Sequence, residues 1–197
     1  MTQVDERLWR VKREEAYKRF LSDLEIGYVD RDIKHVIELI FSKKRIFSTS
    51  SCSGRITVVD ALYPWQRDEA TVIFKKHEPV DVAEIEGILK NQKALFRLWM
   101  IVSGPILHIN ALNLDTATTV LTIARNAGFK HSGIISIGSN GIIVEIVSGI
   151  WVPFLLKDED DVVIKDLSKV IKLANTMLLE GKQRLEKLFK FLRDADI

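Results

Sequence analysis

The octapeptide Ser48-Thr49-Ser50-Ser51-Cys52-Ser53-Gly54-Arg55 holds the groups best suited to chemistry in this chain: small hydroxyls, a thiol, a glycine and an arginine. It follows the cluster Lys43-Lys44-Arg45 and precedes the β-branched run Ile56-Thr57-Val58-Val59. Small polar residues ending in Gly-Arg between two strand-like runs predict a tight loop. The exposed backbone N–H groups of such a loop can hold an anion, and Arg55 can pair with it. Cys52 would be a nucleophile only with a depressed pKa and a histidine base; otherwise it is a small inert turn residue. Ser50, Ser51 and Ser53 suit binding better than attack. Four histidines exist, His35, His77, His108 and His131. Their spacings match no H-E-x-x-H or C-x-x-C pattern, so no metal site is expected. His35 belongs to the polar side of a helix. His77 and His108 lie at or in strands beside proline-containing breaks. Either they build a site, or each is satisfied by a backbone carbonyl. Lys43, Lys44, Arg45, Arg55, Lys75 and Lys76 bracket the strands around the octapeptide. If those strands are neighbours, the cations form one rim that attracts phosphate; if not, they are solubility charge.

Positioning these groups requires the flanking elements. Leu8, Val11, Tyr17, Phe20, Leu21 and Leu24 recur at helical spacing from about residue 5 to 24, with Gly27 as a stop. Ile33, Val36, Ile37, Ile40 and Phe41 define a second helix, which Asp30 or Asp32 can cap. The period then changes. Strands are expected at 45–50 and 55–61, flanking the loop, and at 70–75. Asp81 caps a helix to about Asn91. Residues 94–102 and 106–112 read as strands separated by Ser103-Gly104-Pro105. Asp115 is expected to cap a helix that stops at Gly128. Strands near 133–136 and 141–147 enclose a hairpin turn at Gly138-Ser139-Asn140-Gly141. Residues 150–156 form a strand interrupted at Pro153. The acidic run 158–161 is expected to start the last helix, from about 162 to 194. Its lysines read as a solvated face. This order predicts an α+β fold: a mixed or antiparallel sheet with flanking helices and a long C-terminal helix. No G-x-G-x-x-G lies between a strand and a helix, so a Rossmann-type nucleotide fold is not supported.

The 197 residues fit one domain, or two small ones sharing a core, and we treat them as the single domain 1–197. Apolar residues make up 47%, enough for a sizeable core, and charged residues 28%. No apolar run approaches the roughly 20 residues that span a bilayer. The start, Met1 to Glu6, is polar and lacks the apolar stretch of a signal peptide. Cys52 is the only cysteine, which excludes an internal disulfide. A cytoplasmic protein is expected. The net charge of +2 neither requires nor excludes nucleic acid.

The hexapeptide Ser50-Ser51-Cys52-Ser53-Gly54-Arg55 resembles the S-S-C-S-G-R of the tRNA wybutosine-synthesizing protein 3 family, methyltransferases of the wyosine pathway, in an archaeal-type member. Further segments fall in the family's order. Ser22-Asp23, Gly27 and Asp30 match S-D…G-x-x-D, and His77 closes a strand pair. Pro105-Ile106-Leu107-His108 matches P-x-x-H. Gly128-Phe129-Lys130-His131-Ser132-Gly133-Ile134 matches G-F-[RK]-x-S-G-[IV], and Ala174-Asn175 matches the A-N of the last helix. Departures are Phe74, Lys75 and Lys76 where Trp and Ser are common, Gly104 in place of an acid, and His131 in place of Asn or Glu.

The resemblance implies methyl transfer from S-adenosylmethionine to N4 of a 4-demethylwyosine-type base, 3′ of the anticodon of phenylalanine tRNA. It implies an unusual α+β fold. It makes Asp30, His77 and His108 candidates for the base or for orienting the substrate. Ser50, Ser51, Ser53 and Gly54 become candidates for holding the cofactor's carboxylate or a tRNA phosphate. Arg55, Lys43, Lys44, Arg45, Lys76 and Asn175 become candidates for substrate or tRNA contact. Tyr63 and Trp65 are aromatics that can stack on a base, whereas Phe129 reads as core. Two other readings stay open: a non-catalytic RNA-binding module with a basic rim, and a small-molecule hydrolase using Cys52 and a histidine.

Overall fold

A computed structural model describes residues 4–66 and 68–197. Met1, Thr2 and Gln3 at the polar N-terminus, and Arg67 in the break after the second strand, lie outside the described residues. In chain order the elements begin α1 (Glu6–Glu25), α2 (Lys34–Ser42), β1 (Ile46–Cys52), β2 (Arg55–Asp60), β3 (Thr71–Lys76) and α3 (Val82–Asn91). There follow β4 (Arg97–Ser103), β5 (Ile106–Ala111), α4 (Leu114–Asn126), β6 (Gly133–Gly138) and β7 (Gly141–Val147). The chain closes with β8 (Trp151–Asp158), β9 (Asp161–Val162) and α5 (Leu167–Asp194). Every strand pair among the described residues is antiparallel.

The chain forms two compact units. Unit 1 takes the chain through Ser53, Pro105–Gly149 and Lys182–Ile197. Its sheet has the order β1-β5-β7-β6. One core joins Ile46, Phe47, Leu107, Ile109, Val144 and Ile146 of the sheet to Trp9, Ile37, Ile40, Val120 and Leu188 of the helices. Asp5 caps α1 by accepting from the N–H groups of Arg7 and Leu8. The indole N–H of buried Trp9 donates to Asn110 Oδ1 at 2.9 Å, and Asn110 Nδ2 donates to the Asn140 carbonyl at 3.1 Å. These bonds tie α1 to the hairpin in which Ser139-Asn140 joins Gly138 to Gly141, as expected. Gly141 must be glycine: its φ is +129°, and a Cβ there would lie 1.8 Å from Asn110 Oδ1.

Unit 2 takes Gly54–Gly104 and Ile150–Gly181. Its sheet has the order β3-β2-β4-β8-β9. Ile56, Val58, Leu98, Met100, Val102 and Leu156 pack with Ile85 of α3 and with Ile171, Ala174 and Leu178 of α5. Thus α5 serves unit 2 through Leu178 and unit 1 from Leu185 onward.

Several local expectations are corrected. Neither Asp30 nor Asp32 caps α2; Ile33 stands at that position without a side-chain bond. Asp30 instead accepts from Ser53, and Asp32 pairs with Lys182. Asn113, not Asp115, caps α4 by accepting from the Thr116 N–H at 2.9 Å. Gly128 ends α4 with φ +102°, as expected. The acidic run 158–161 forms the β8–β9 turn, with Lys157 opposite Val162. The last helix therefore starts only at Leu167, where Asp166 accepts from the Lys169 N–H at 3.0 Å. Strand β8 runs through Pro153, which pairs with Ile101 on one side. β9 is too short to reach Pro153, so the missing N–H breaks no ladder.

Candidate functional site

The octapeptide is not a loop over its whole length. β1 continues to Cys52 and β2 begins at Arg55, leaving only Ser53-Gly54 as the connection. These strands are not a hairpin: β1 pairs with β5, and β2 pairs with β3 and β4. The connection is where the chain leaves one sheet for the other, and Gly54 takes φ +92° there. The cations around it are accordingly divided between the units, Lys43, Lys44 and Arg45 in unit 1 and Arg55, Lys75 and Lys76 in unit 2.

Each unit pins its own end of this dipeptide. In unit 1 the Ser53 N–H donates to Asp30 Oδ2 at 2.9 Å, and Ser53 is fully buried. A charge-assisted bond of this kind is stronger than a neutral one. Cys52 Sγ lies within 4.8 Å of a carboxylate oxygen of Asp30. In unit 2, His77 Nδ1 lies 2.9 Å from the Gly54 carbonyl oxygen. A carbonyl only accepts, so Nδ1 carries the proton. The simple alternative for His77, a bond to a backbone carbonyl, is present, and it sets the tautomer.

His108 is held differently. It stands opposite Glu145 in the β5–β7 pairing, with Nε2 3.1 Å from Glu145 Oε1. Glu145 belongs to none of the motif segments. The available signal was one acid in the apolar strand Gly141–Val147. On the other side of His108, in register, stands Ser50. A bulge between Ser48 and Ser50 brings Ser50 rather than Thr49 to this position.

Other candidates have structural partners. Asn175 on α5 grips the main chain of Val80. Its Oδ1 accepts from the Val80 N–H at 2.9 Å and its Nδ2 donates to the Val80 carbonyl at 2.8 Å. The Lys76 ammonium meets both carboxylate oxygens of Glu84 at 2.9 Å. That hydrogen bond raises the Lys76 pKa above its ordinary value. The Glu84 pKa is lowered, first by the Asp81 N–H it accepts in the α3 capping box and then by Lys76. Lys43 donates to the carbonyls of Arg193 and Ala195, closing the end of α5. Lys44 and Arg45 are exposed, and Arg55 is half-buried. Among the described residues no carboxylate pairs with Lys44, Arg45 or Arg55.

His35 is half-buried, 3.0 Å from Glu186, with its ring edge-on to Phe189. His131 is exposed and Phe129 is core. Tyr63 and Trp65 stack in parallel, centroids 5.1 Å apart, and are 45% and 68% exposed. An open cleft of about 580 Å³ in unit 2 is lined by Val82, Leu89, Lys90, Val162, Ile164 and neighbours, and holds none of the motif residues.

The donor set is compatible with a cofactor that ends in an amino acid. Ser50 is exposed and Ser51 half-buried, both on the outer strand of their sheet. Neither hydroxyl is engaged by the protein among the described residues. The Ser53 N–H is already engaged by Asp30, so the donors this segment leaves to offer are the hydroxyls of Ser50 and Ser51.

Two antiparallel sheets, a shared long helix and a serine-rich sheet-to-sheet connection define a class of α+β protein distinct from the doubly wound nucleotide folds. The family described as Methyltransferase TYW3 matches residues 10–194. A relative from Saccharolobus solfataricus is 44% identical over 193 residues, covering 95% of this chain and 91% of its own. A relative from Aeropyrum pernix is 37% identical over 164 residues, covering 82% and 86%. Both bear the name tRNA(Phe) 7-((3-amino-3-carboxypropyl)-4-demethylwyosine(37)-N(4))-methyltransferase. Among solved structures, the PH1069 protein from Pyrococcus horikoshii superposes with a TM-score of 0.87 at 32% identity, covering 93% of this chain and 95% of its own. The chain belongs to the TYW3 methyltransferase family.

Proposed function

We propose that this protein is an S-adenosylmethionine-dependent tRNA methyltransferase of the wyosine pathway. It methylates N4 of the 4-demethylwyosine-type base at position 37 of phenylalanine tRNA. The base would carry the 3-amino-3-carboxypropyl side chain that its relatives' names specify. The reading rests on one observation: near end-to-end likeness to relatives that bear this name, through the segments that carry the candidate residues. A non-catalytic RNA-binding role is not favoured, because those relatives are named as enzymes. A tRNA substrate implies a cytoplasmic setting. The single cysteine agrees with it, and among the described residues no helix is long and apolar enough to cross a membrane.

S-adenosylmethionine supplies an electrophilic methyl on a sulfonium, so the protein's task is mostly alignment. Ser50 and Ser51 hold the amino-acid end of the cofactor through their hydroxyls, on a wall shaped by Ser53 and Asp30. Arg55, without a carboxylate partner among the described residues, takes an anion of the tRNA. Lys44 and Arg45 are exposed for phosphate contact. The exposed Tyr63–Trp65 stack offers a ring face to an unpaired base. His108, with Nε2 turned to Glu145, can receive the acceptor's N–H proton on its other ring nitrogen.

The test is incubation with methyl-labelled S-adenosylmethionine and phenylalanine tRNA bearing the unmethylated base. Label is expected in nucleoside 37. Binding of tRNA without transfer would overturn the enzyme reading and favour the RNA-binding module.

A further inference from the structure

We propose that Glu145 is a positioning residue of the methyl-transfer site. It holds the His108 ring so that Nδ1 receives the proton released by the acceptor nitrogen. This rests on the methyltransferase reading above.

The observation is a row of side chains across the unit 1 sheet. Ser50, His108, Glu145 and Gly133 occupy one register line on β1, β5, β7 and β6. Register partners share a face, with Cβ atoms about 4.5–5.5 Å apart. On β7, Ile142, Val144 and Ile146 are buried, and Glu145 lies on the other face as the one charge in the strand. The side chains of His108 and Glu145 are 29% and 33% exposed.

A carboxylate only accepts, so the 3.1 Å contact puts a proton on Nε2, and in the neutral ring Nδ1 is then the acceptor nitrogen. Among the described residues no other hydrogen bond reaches either side chain. The row ends on Gly133, where neither conformation nor crowding asks for glycine: a Cβ there would meet nothing within 4 Å. A β-branched residue would suit the strand better. The glycine leaves the ground beside Glu145 open.

The chemistry balances. The nitrogen–methyl bond forms as the carbon–sulfur bond breaks, its electron pair staying on a neutral thioether. The N–H proton of the acceptor passes to His108 Nδ1. The imidazolium so formed already donates to Glu145, and the carboxylate offsets its charge without rearrangement. Glu145 touches neither reactant and acts through the ring it holds.

The test uses the whole protein with Glu145→Ala, Glu145→Gln and Glu145→Asp, checked for unchanged thermal unfolding. In Glu145→Ala, kcat should fall by about 10–100-fold with the KM for tRNA changed less than about threefold, the pattern of a lost orienting partner. Glu145→Asp should recover part of kcat, and Glu145→Gln should lie between Asp and Ala. Independently of turnover, nitrogen-15 NMR of the His108 ring should show the Nε2–H tautomer in the wild type and a mixture in Glu145→Ala. Unchanged kcat with an unchanged tautomer would overturn the proposal, as would a loss confined to KM. Absence of methyl transfer by the wild type would instead overturn the enzyme reading, while the tautomer measurement would still decide the role of Glu145.

Discussion

Replacing Asn175 by alanine separates tRNA contact from support of the fold. In the folded chain its amide makes two bonds to one residue, accepting from the Val80 N–H at 2.9 Å and donating to the Val80 carbonyl at 2.8 Å. Val80 is 2% exposed, so water does not replace these bonds readily. A buried backbone group left unpaired costs about 1–3 kcal/mol, and truncation leaves two. Some relaxation is expected, so the net loss is about 2–4 kcal/mol. For a chain of this length each kcal/mol moves Tm by about 2–4 °C, so the melting of unit 2 should fall by about 4–16 °C. The residues just before Val80 include His77, so activity should fall with stability. Asn175→Asp sharpens the test. It keeps the acceptor for the Val80 N–H but places a carboxylate against the Val80 carbonyl. Protonation restores a donor, so the folded state favours the protonated form and Asn175→Asp should gain stability relative to wild type as pH falls. Calorimetry from pH 4 to 8 (about the range in which such a carboxyl titrates), with tRNA affinity measured in parallel, checks both variants. A wild-type Tm in Asn175→Ala combined with lost tRNA affinity would refute this reasoning and make Asn175 a direct tRNA contact.

Three further outcomes are expected. Gly141→Ala forces a Cβ to within 1.8 Å of Asn110 Oδ1 at φ +129°, which displaces the Trp9 bond; urea unfolding should register a loss of about 2–5 kcal/mol with a changed Trp9 emission. Arg55→Ala removes a half-buried cation lacking a carboxylate partner, so Tm should hold while tRNA binding weakens by about 10–100-fold, the worth of one charge-assisted contact; wild-type turnover would refute the anion role. Glu84 has a folded pKa below its ordinary value near 4.5, so its stabilisation is complete above that value and is lost as pH falls through the lowered one. Amide protection at the start of α3, taken relative to the intrinsic exchange rate at each pH, should therefore fall under acid in the wild type, and lose that pH dependence in Glu84→Gln.

Local pattern carried much of this protein. Apolar spacing located the helices, Gly128 and the Gly138–Gly141 turn fell where expected, and the absent glycine fingerprint pointed away from a nucleotide fold. The ordered motif segments pointed to the family to which the chain belongs. These features depend on neighbours in the chain, which a sequence displays directly. What local pattern could not decide was partnership. Asp30 and Asp32 are equally good helix caps on paper, yet one bonds Ser53 and the other Lys182, from distant segments. The acidic run 158–161 suits a helix start and becomes a hairpin turn because β8 finds β4 and β9 as partners. β1 and β2 read as strands flanking one tight loop, and strand pairing sends them to different sheets and leaves only Ser53-Gly54 between them. His108, Ser50 and Glu145 come from three separate segments, and only sheet register puts them in one row. Residue types and order thus sufficed for the family and the inventory of reactive groups. The pairing of those groups had to await long-range contacts, because a hydrogen bond between distant segments leaves no period and no local propensity in the chain.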